Sequence, residues 1–128
     1  MKDTRENNSF FNKIYGITRK GRFGEHNARK EVYKEKPFYI YISSNEIYND
    51  ETDEKILVQG IIDLYAIDQD DEIILVDYKT DFAVEEKELV FKYEKQLELY
   101  RRALEDGIGK KVKETFIYSL YLNKEIRL

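Results

Sequence analysis

The chain has 128 residues with no cysteine, no tryptophan, a single proline and a single methionine, and its only histidine is His26. Without cysteine there is no disulfide, no thiolate zinc site and no iron–sulfur cluster. A reducing, cytoplasmic location fits that lack. One histidine cannot build a histidine-rich metal centre, so any metal must rest on oxygen ligands, which favours Mg²⁺ or Mn²⁺ over zinc. No apolar run is long enough to span a bilayer and the start carries no signal-peptide pattern, so no membrane partner is expected.

What is present is a normal apolar fraction of 41%, gathered into clear runs, so the chain can build a core. Its length suits one domain. The net charge of −4 hides an asymmetry. Residues 11–36 hold eight basic side chains against three acids, while residues 43–72 hold ten acids against Lys55 alone. A basic stretch can meet phosphates, and it can equally be a solvated face.

Helical spacing of Phe10, Ile14 and Ile17 behind Ser9 predicts a helix to about Arg19. Glu31 to Ile42 reads as a strand, with Pro37 marking an edge or a bulge. Ser43 to Glu54 reads as a polar, dispensable loop. Ile56 to Ile67 is a strand interrupted at Gly60, where a bulge or a close approach is expected. A turn at Asp68–Asp71 returns the chain antiparallel through Ile73 to Lys79. Leu89, Val90, Tyr93, Leu97, Tyr100 and Leu104 then mark one face of a helix from about Val84 to Glu105, ended by Gly107 and Gly109. Val112 to Leu122 alternates as a strand, with Phe116, Tyr118 and Leu120 on one face, and Glu125 to Leu128 can pair as another. The order predicts an α/β fold, a mixed sheet of four or five strands flanked by helices.

Two of these strands carry an acid where a buried strand wants none: Asp63 and Asp77. Asp77 and Lys79 share a face roughly 7 Å apart by strand rise, together with Leu75, while Ile74, Val76 and Tyr78 point the other way. Two acids and a lysine converging at the end of a hairpin suit metal-assisted hydrolysis. A structural ion pair of Asp77 and Lys79 would explain the string Asp-X-Lys as well. Gln96 falls among apolar face positions one turn before Tyr100, so its amide must find a partner at the sheet or on the helix surface.

Gly60-x-x-Asp63, Asp77-Tyr78-Lys79-Thr80-Asp81 and Tyr93-x-x-Gln96-x-x-x-Tyr100, in that order, resemble the RecB-type nuclease domain of the PD-(D/E)XK superfamily. Glu35-Lys36-Pro37-Phe38 resembles that family's Glu-x-Pro-Phe segment. The likeness covers roughly residues 9–128 and is strongest to the C-terminal nuclease domain of AddA-type helicase–nuclease subunits. It implies a restriction-endonuclease-like fold and Mg²⁺- or Mn²⁺-dependent DNA cleavage without sequence specificity, coupled to a helicase in double-strand-break repair. It implies that Asp63 and Asp77 bind metal with the Tyr78 main-chain carbonyl, that Lys79 orients or activates water or steadies the phosphate, and that Glu35 assists. Gln96 and Tyr100 would support the site and the DNA strand, and Thr80 and Asp81 would shape the loop leaving the strand. Glu94 and Glu98 read as solvated face.

The expected partners are DNA, a helicase domain of the same polypeptide and a second, AddB-like subunit. The family's site usually includes a histidine on a helix well upstream, and His26 lies too near Glu35 to be that residue. The chain therefore reads as a single nuclease domain, 1–128, at the C-terminal end of a larger polypeptide, folded yet weakly active by itself. No phosphate-binding glycine loop is present, so this piece does not hydrolyse ATP. A free-standing RecB-like nuclease, and a catalytically silent nuclease fold used for DNA binding or docking, are the alternative readings.

Overall fold

The computed structural model describes residues 31–49, 51–82 and 85–128. The helix expected at Ser9–Arg19, His26 and most of the basic stretch lie outside the described residues. Seven elements follow in order: β1 (Glu31–Ser43), α1 (Ser44–Tyr48), β2 (Lys55–Ile67), β3 (Ile73–Lys79), α2 (Glu86–Ile108), β4 (Val112–Ser119) and β5 (Lys124–Arg127). The strands form one sheet in the order β1-β2-β3-β4-β5. All neighbours pair antiparallel except β3 and β4, which are parallel. A parallel pair needs a crossover, and α2 supplies it.

β3 sits at the centre, and its Ile73-Ile74-Leu75-Val76 run is buried on both faces, which is why its sequence does not alternate there. One sheet face packs Phe38, Ile40, Ile42, Ile67, Leu75 and Ile117 against Leu89, Leu97, Ala103 and Leu104 of α2. Each such large side chain contributes about 1.5–3 kcal/mol by leaving water. The opposite face holds Leu64, Ala66, Ile74, Val76, Phe116 and Tyr118, with Leu120 against them. The face assignments read from the alternation of β3 and β4 therefore hold.

Pro37 lies on the edge strand, where a missing N–H is tolerated. Three boundaries differ from expectation. The 43–54 segment contains a helical turn, α1, and is anchored rather than loose. Ser44 is buried, its N–H donates to the Glu54 carbonyl at 2.7 Å, and Glu46 accepts from Ser43 N–H at 3.3 Å. Helix α2 runs through Gly107 and stops at Gly109, whose left-handed φ of 78° lets its N–H cap the Glu105 carbonyl at 2.9 Å. β4 ends at Ser119, because Leu120 N–H turns to the Lys79 carbonyl and Asn123 at φ 56° reverses the chain into β5.

Gly60 is a close approach and not a bulge. It pairs with Phe38 across the β1–β2 ladder. A Cβ there would stand 2.8 Å from Phe38 Cε1. The Phe38 ring is held on its other side by Tyr100, edge-on with centroids 5.0 Å apart. Gly60→Ala is expected to cost about 1 kcal/mol, since the buried ring must shift and carry Tyr100 with it. Urea unfolding of Gly60→Ala and of Gly60→Ala with Phe38→Leu checks this; the second change should recover part of the loss. Equal midpoints for wild type and Gly60→Ala would refute the steric account.

Candidate active site

The site is made where β2 and β3 part. Their ladder runs from Ile67↔Ile73 to Leu64↔Val76 and stops. The next pair in register would be Asp63 and Asp77. β2 continues instead as a two-stranded ribbon with β1, out to Ser43↔Lys55. The N–H of Tyr78, just beyond the last ladder pair, is taken by Asp63 Oδ2 at 2.9 Å. A carboxylate thus replaces the main-chain acceptor that a continued strand would have offered.

The alternation of β2 also reverses here. Ile62 packs on the α2 side and Leu64 on the opposite side. Glu35, across from Asp63 on β1, has a left-handed φ of 51°, and Lys34↔Leu64 and Lys36↔Ile62 pair on either side of it. Such local irregularity re-aims a side chain next to a functional site. Asp63 is half-buried as a result.

Asp77 is 3% exposed, and its Oδ2 takes no hydrogen bond. Lys79 Nζ stands 2.9 Å from that oxygen as an ion pair. The same ammonium donates to Gln96 Oε1 at 2.9 Å and lies 3.9 Å from the centre of the Tyr93 ring. Burial pushes the Asp77 carboxyl up to about 6; Lys79 opposes the rise and the neighbouring Asp63 adds to it. Burial, and then the charges of Asp77 and Asp63, raise the Tyr100 phenol as well, which places Tyr100 within the field of both acids.

The structure therefore brings Asp63, Asp77, Lys79, Gln96 and Tyr100 to one end of the sheet under α2. It does not bring Glu35 into contact with them: its side chain is exposed and makes no hydrogen bond or ion pair among the described residues. Glu98 pairs with Arg101 and Glu94 is exposed, as solvated-face residues should be. Tyr93 was legible only as an apolar face position and a motif letter. In the structure it also donates its hydroxyl to Asp81 Oδ2 at 2.7 Å, and Lys92 Nζ meets the same oxygen at 2.7 Å. These bonds hold the Asp81 carboxyl well below its usual range. They fasten the exit of β3 to α2, which deepens the expected loop-shaping part of Asp81.

A buried carboxylate oxygen without a hydrogen bond, set beside a second carboxylate, fits a hard divalent cation. Among the described residues no three acidic or histidine side chains cluster as a metal site. The chain can offer two carboxylates and main-chain oxygen, and a cation held so leaves positions for solvent or phosphate.

The sequence matches the PD-(D/E)XK nuclease superfamily over residues 12–126. The chain belongs to this superfamily. Its five-stranded mixed sheet with the crossover helix is the restriction-endonuclease-like α/β fold expected from the motifs. It is 46% identical over 105 residues, 77% of its length, to the ATP-dependent helicase/nuclease AddA of Clostridium acetobutylicum. It is 48% identical over 111 residues, 80% of its length, to the protein of the same name from Clostridium beijerinckii. A third relative of that name, from Carboxydothermus hydrogenoformans, is 44% identical over 103 residues. The chain spans only 8%, 9% and 9% of these relatives. No described helix is long and apolar enough to cross a membrane.

The raised Asp77 carboxyl has a stability consequence with a definite sign. Below about pH 4 the side chain is neutral in folded and unfolded chains alike, and contributes nothing. As pH rises toward about 6 the unfolded chain ionises first, and stability falls until Asp77 ionises in the fold too. Asp77→Asn is therefore expected to be more stable than wild type at pH 7–8 by about 2 kcal/mol, with the difference closing by about pH 4. Chemical denaturation across that range in EDTA measures it; a constant difference at every pH would mean that ionisation of Asp77 is not the cause.

Proposed function

We propose that this chain is a metal-dependent deoxyribonuclease domain that hydrolyses phosphodiester bonds without reading bases. The observation that carries the reading is the buried Asp63–Asp77 pair at the strand fork, with the Lys79 ammonium 2.9 Å from Asp77. Asp63, Asp77 and the Tyr78 carbonyl would hold Mg²⁺ or Mn²⁺. Such an ion, when bound, neutralises phosphate charge and lowers the pKa of water near it.

The chain's own residues then have distinct tasks. Asp77 loses its proton and offers the oxygen that no hydrogen bond occupies. Asp63 keeps one oxygen on Tyr78 N–H, which fixes its orientation at the fork. Lys79, steered by Gln96 and the Tyr93 ring, presents a fixed positive charge to a phosphoryl oxygen or to the attacking water. Tyr100, packed on Phe38, closes the α2 side of the site against solvent. Glu35 sits at the rim, in register with Asp63, and acts only through an intervening water. Nothing in this set offers the paired donors and acceptors that read a base edge.

The relatives are named as helicase/nuclease subunits, and the chain covers less than a tenth of each. In our reading the domain is the nuclease end of such a polypeptide. It trims DNA delivered by an attached helicase during break repair, beside a second, AddB-like subunit. A silent module that only binds DNA has no chemical reason to keep Asp77 buried and costly beside Asp63.

Two measurements test the proposal. Calorimetric titration with Mg²⁺ or Mn²⁺ is expected to show binding to this chain, weakened more than roughly a hundredfold by Asp77→Ala, because losing a ligand exceeds losing an outer-shell partner. Cleavage of DNA by the longer polypeptide should fall with it, and an Asp77→Ala protein that still cuts would end the assignment. In a second assay, Gln96→Ala is expected to lower turnover about tenfold with helix content unchanged by circular dichroism. Undiminished turnover would return Gln96 to a purely structural hydrogen bond.

A further inference from the structure

The ends of β3 and β4 that carry the site also hold two large rings in water. Phe82, three residues past Lys79, is 75% exposed, and Tyr121 is 52% exposed. Their ring centroids are 4.4 Å apart, with planes tilted by 50°. Leu120 N–H bonds the Lys79 carbonyl at 2.9 Å, so Tyr121 follows directly on a residue tied to the lysine's own main chain. Three extended residues reach at most about 10 Å, so the Phe82 ring stands close beside Lys79.

We infer that Phe82 and Tyr121 form a stacking site for an unpaired nucleobase of the strand whose phosphate lies at Asp63, Asp77 and Lys79. This rests on the nuclease reading above and adds to it a site for the base. Aromatic rings stack on any base through its π-face and read no hydrogen-bond pattern. That suits a site whose other groups are blind to sequence. A stacked base next to the cleavage point fixes the strand's register, and so places one phosphate at the acids.

The surroundings favour a nucleic acid over a protein here. Lys92 and Lys124 flank the rings, ion-paired to Asp81 and Glu86, so the neighbourhood is charge-balanced. The chain's other exposed apolar face, with Tyr39, Tyr41, Leu57 and Ile61 on the β1–β2 ribbon, adjoins Glu46, Glu51, Asp53 and Glu54. That acidic setting repels a polyanion.

The test is binding of a single-stranded oligodeoxynucleotide carrying a fluorescent purine analogue to this chain in EDTA, so that no cleavage intervenes. Phe82→Ala and Tyr121→Ala are each expected to weaken binding roughly tenfold, with Phe82→Trp restoring it. An abasic strand of equal length should bind wild type about tenfold more weakly than the intact strand, with no further loss against Phe82→Ala. Because the abasic strand is compared on wild type, a variant that fails to fold does not void the test. Equal affinity for abasic and intact strands, or wild-type affinity in Phe82→Leu, would overturn the stacking site; the latter would mark a greasy docking surface instead. Adding Mg²⁺ to wild type separates the two readings. Stacking without cleavage counts against the nuclease assignment alone, and cleavage without stacking against this inference alone.

Discussion

Everything at the functional end of this fold depends on where two strands stop pairing. Asp63 and Asp77 would face each other as the next rung of the β2–β3 ladder, and two carboxylates make no rung. Pairing ends there because β2 is held along its whole length by β1, while β3 is held by β4. The acids are pinned by strong ladders on their outer sides and free of each other's backbone on the inner side. That produces a rigid cleft with no loop forming its walls, which is the kind of support a precise site needs.

The helix then determines how the acids are used. Leu89, Leu97 and Leu104 fix α2 onto the sheet through ordinary apolar burial. The same periodicity brings Tyr93, Gln96 and Tyr100 over the sheet end. Gln96 draws Lys79 from one side, Asp77 from another, and the Tyr93 face fills the remaining approach. The ammonium thus has three independent restraints, and Tyr93 is itself fixed by Asp81. A lysine with a flexible four-carbon stem becomes a placed charge only under such restraint. On the far side, Gly60 makes room for Phe38, and Phe38 supports Tyr100. Core packing and site geometry are one continuous set of contacts.

The sequence disclosed this unevenly, for physical reasons. The sheet and α2 were legible because period-two and helical patterns report burial directly, and Asp77 stood out because an acid inside a run of Ile, Leu and Val has no structural motive. Gly60 was legible as an interruption, yet its cause was not, since the Phe38 ring that needs the space is on another strand. The reversal of alternation at Ile62–Asp63 was hidden because it arises from pairing with the left-handed Glu35. Glu35 itself was named from a motif string, and a string cannot say that the side chain points into solvent. Tyr93 and Asp81 were visible as letters, but their bond joins a loop to a helix, and no local pattern encodes it.

The position of the acid pair along the strand also follows from energetics. One rung further in, a carboxylate on the α2 face of β3 would replace Leu75, which has no exposed surface at all. With no route for solvent or cation, such an acid would stay neutral and serve no ligand. One rung further out, beyond Lys79, it would be hydrated and hold its proton no differently from any surface acid. At the fork Asp77 is desolvated enough to be raised to about 6, yet remains within reach of Lys79 and of Asp63. That intermediate burial makes the carboxylate poor in partners of its own and receptive to a cation. The stability it forfeits is borne by the fully buried Ile73–Val76 run immediately before it, so the costliest residue in the sheet is attached to its most stable segment.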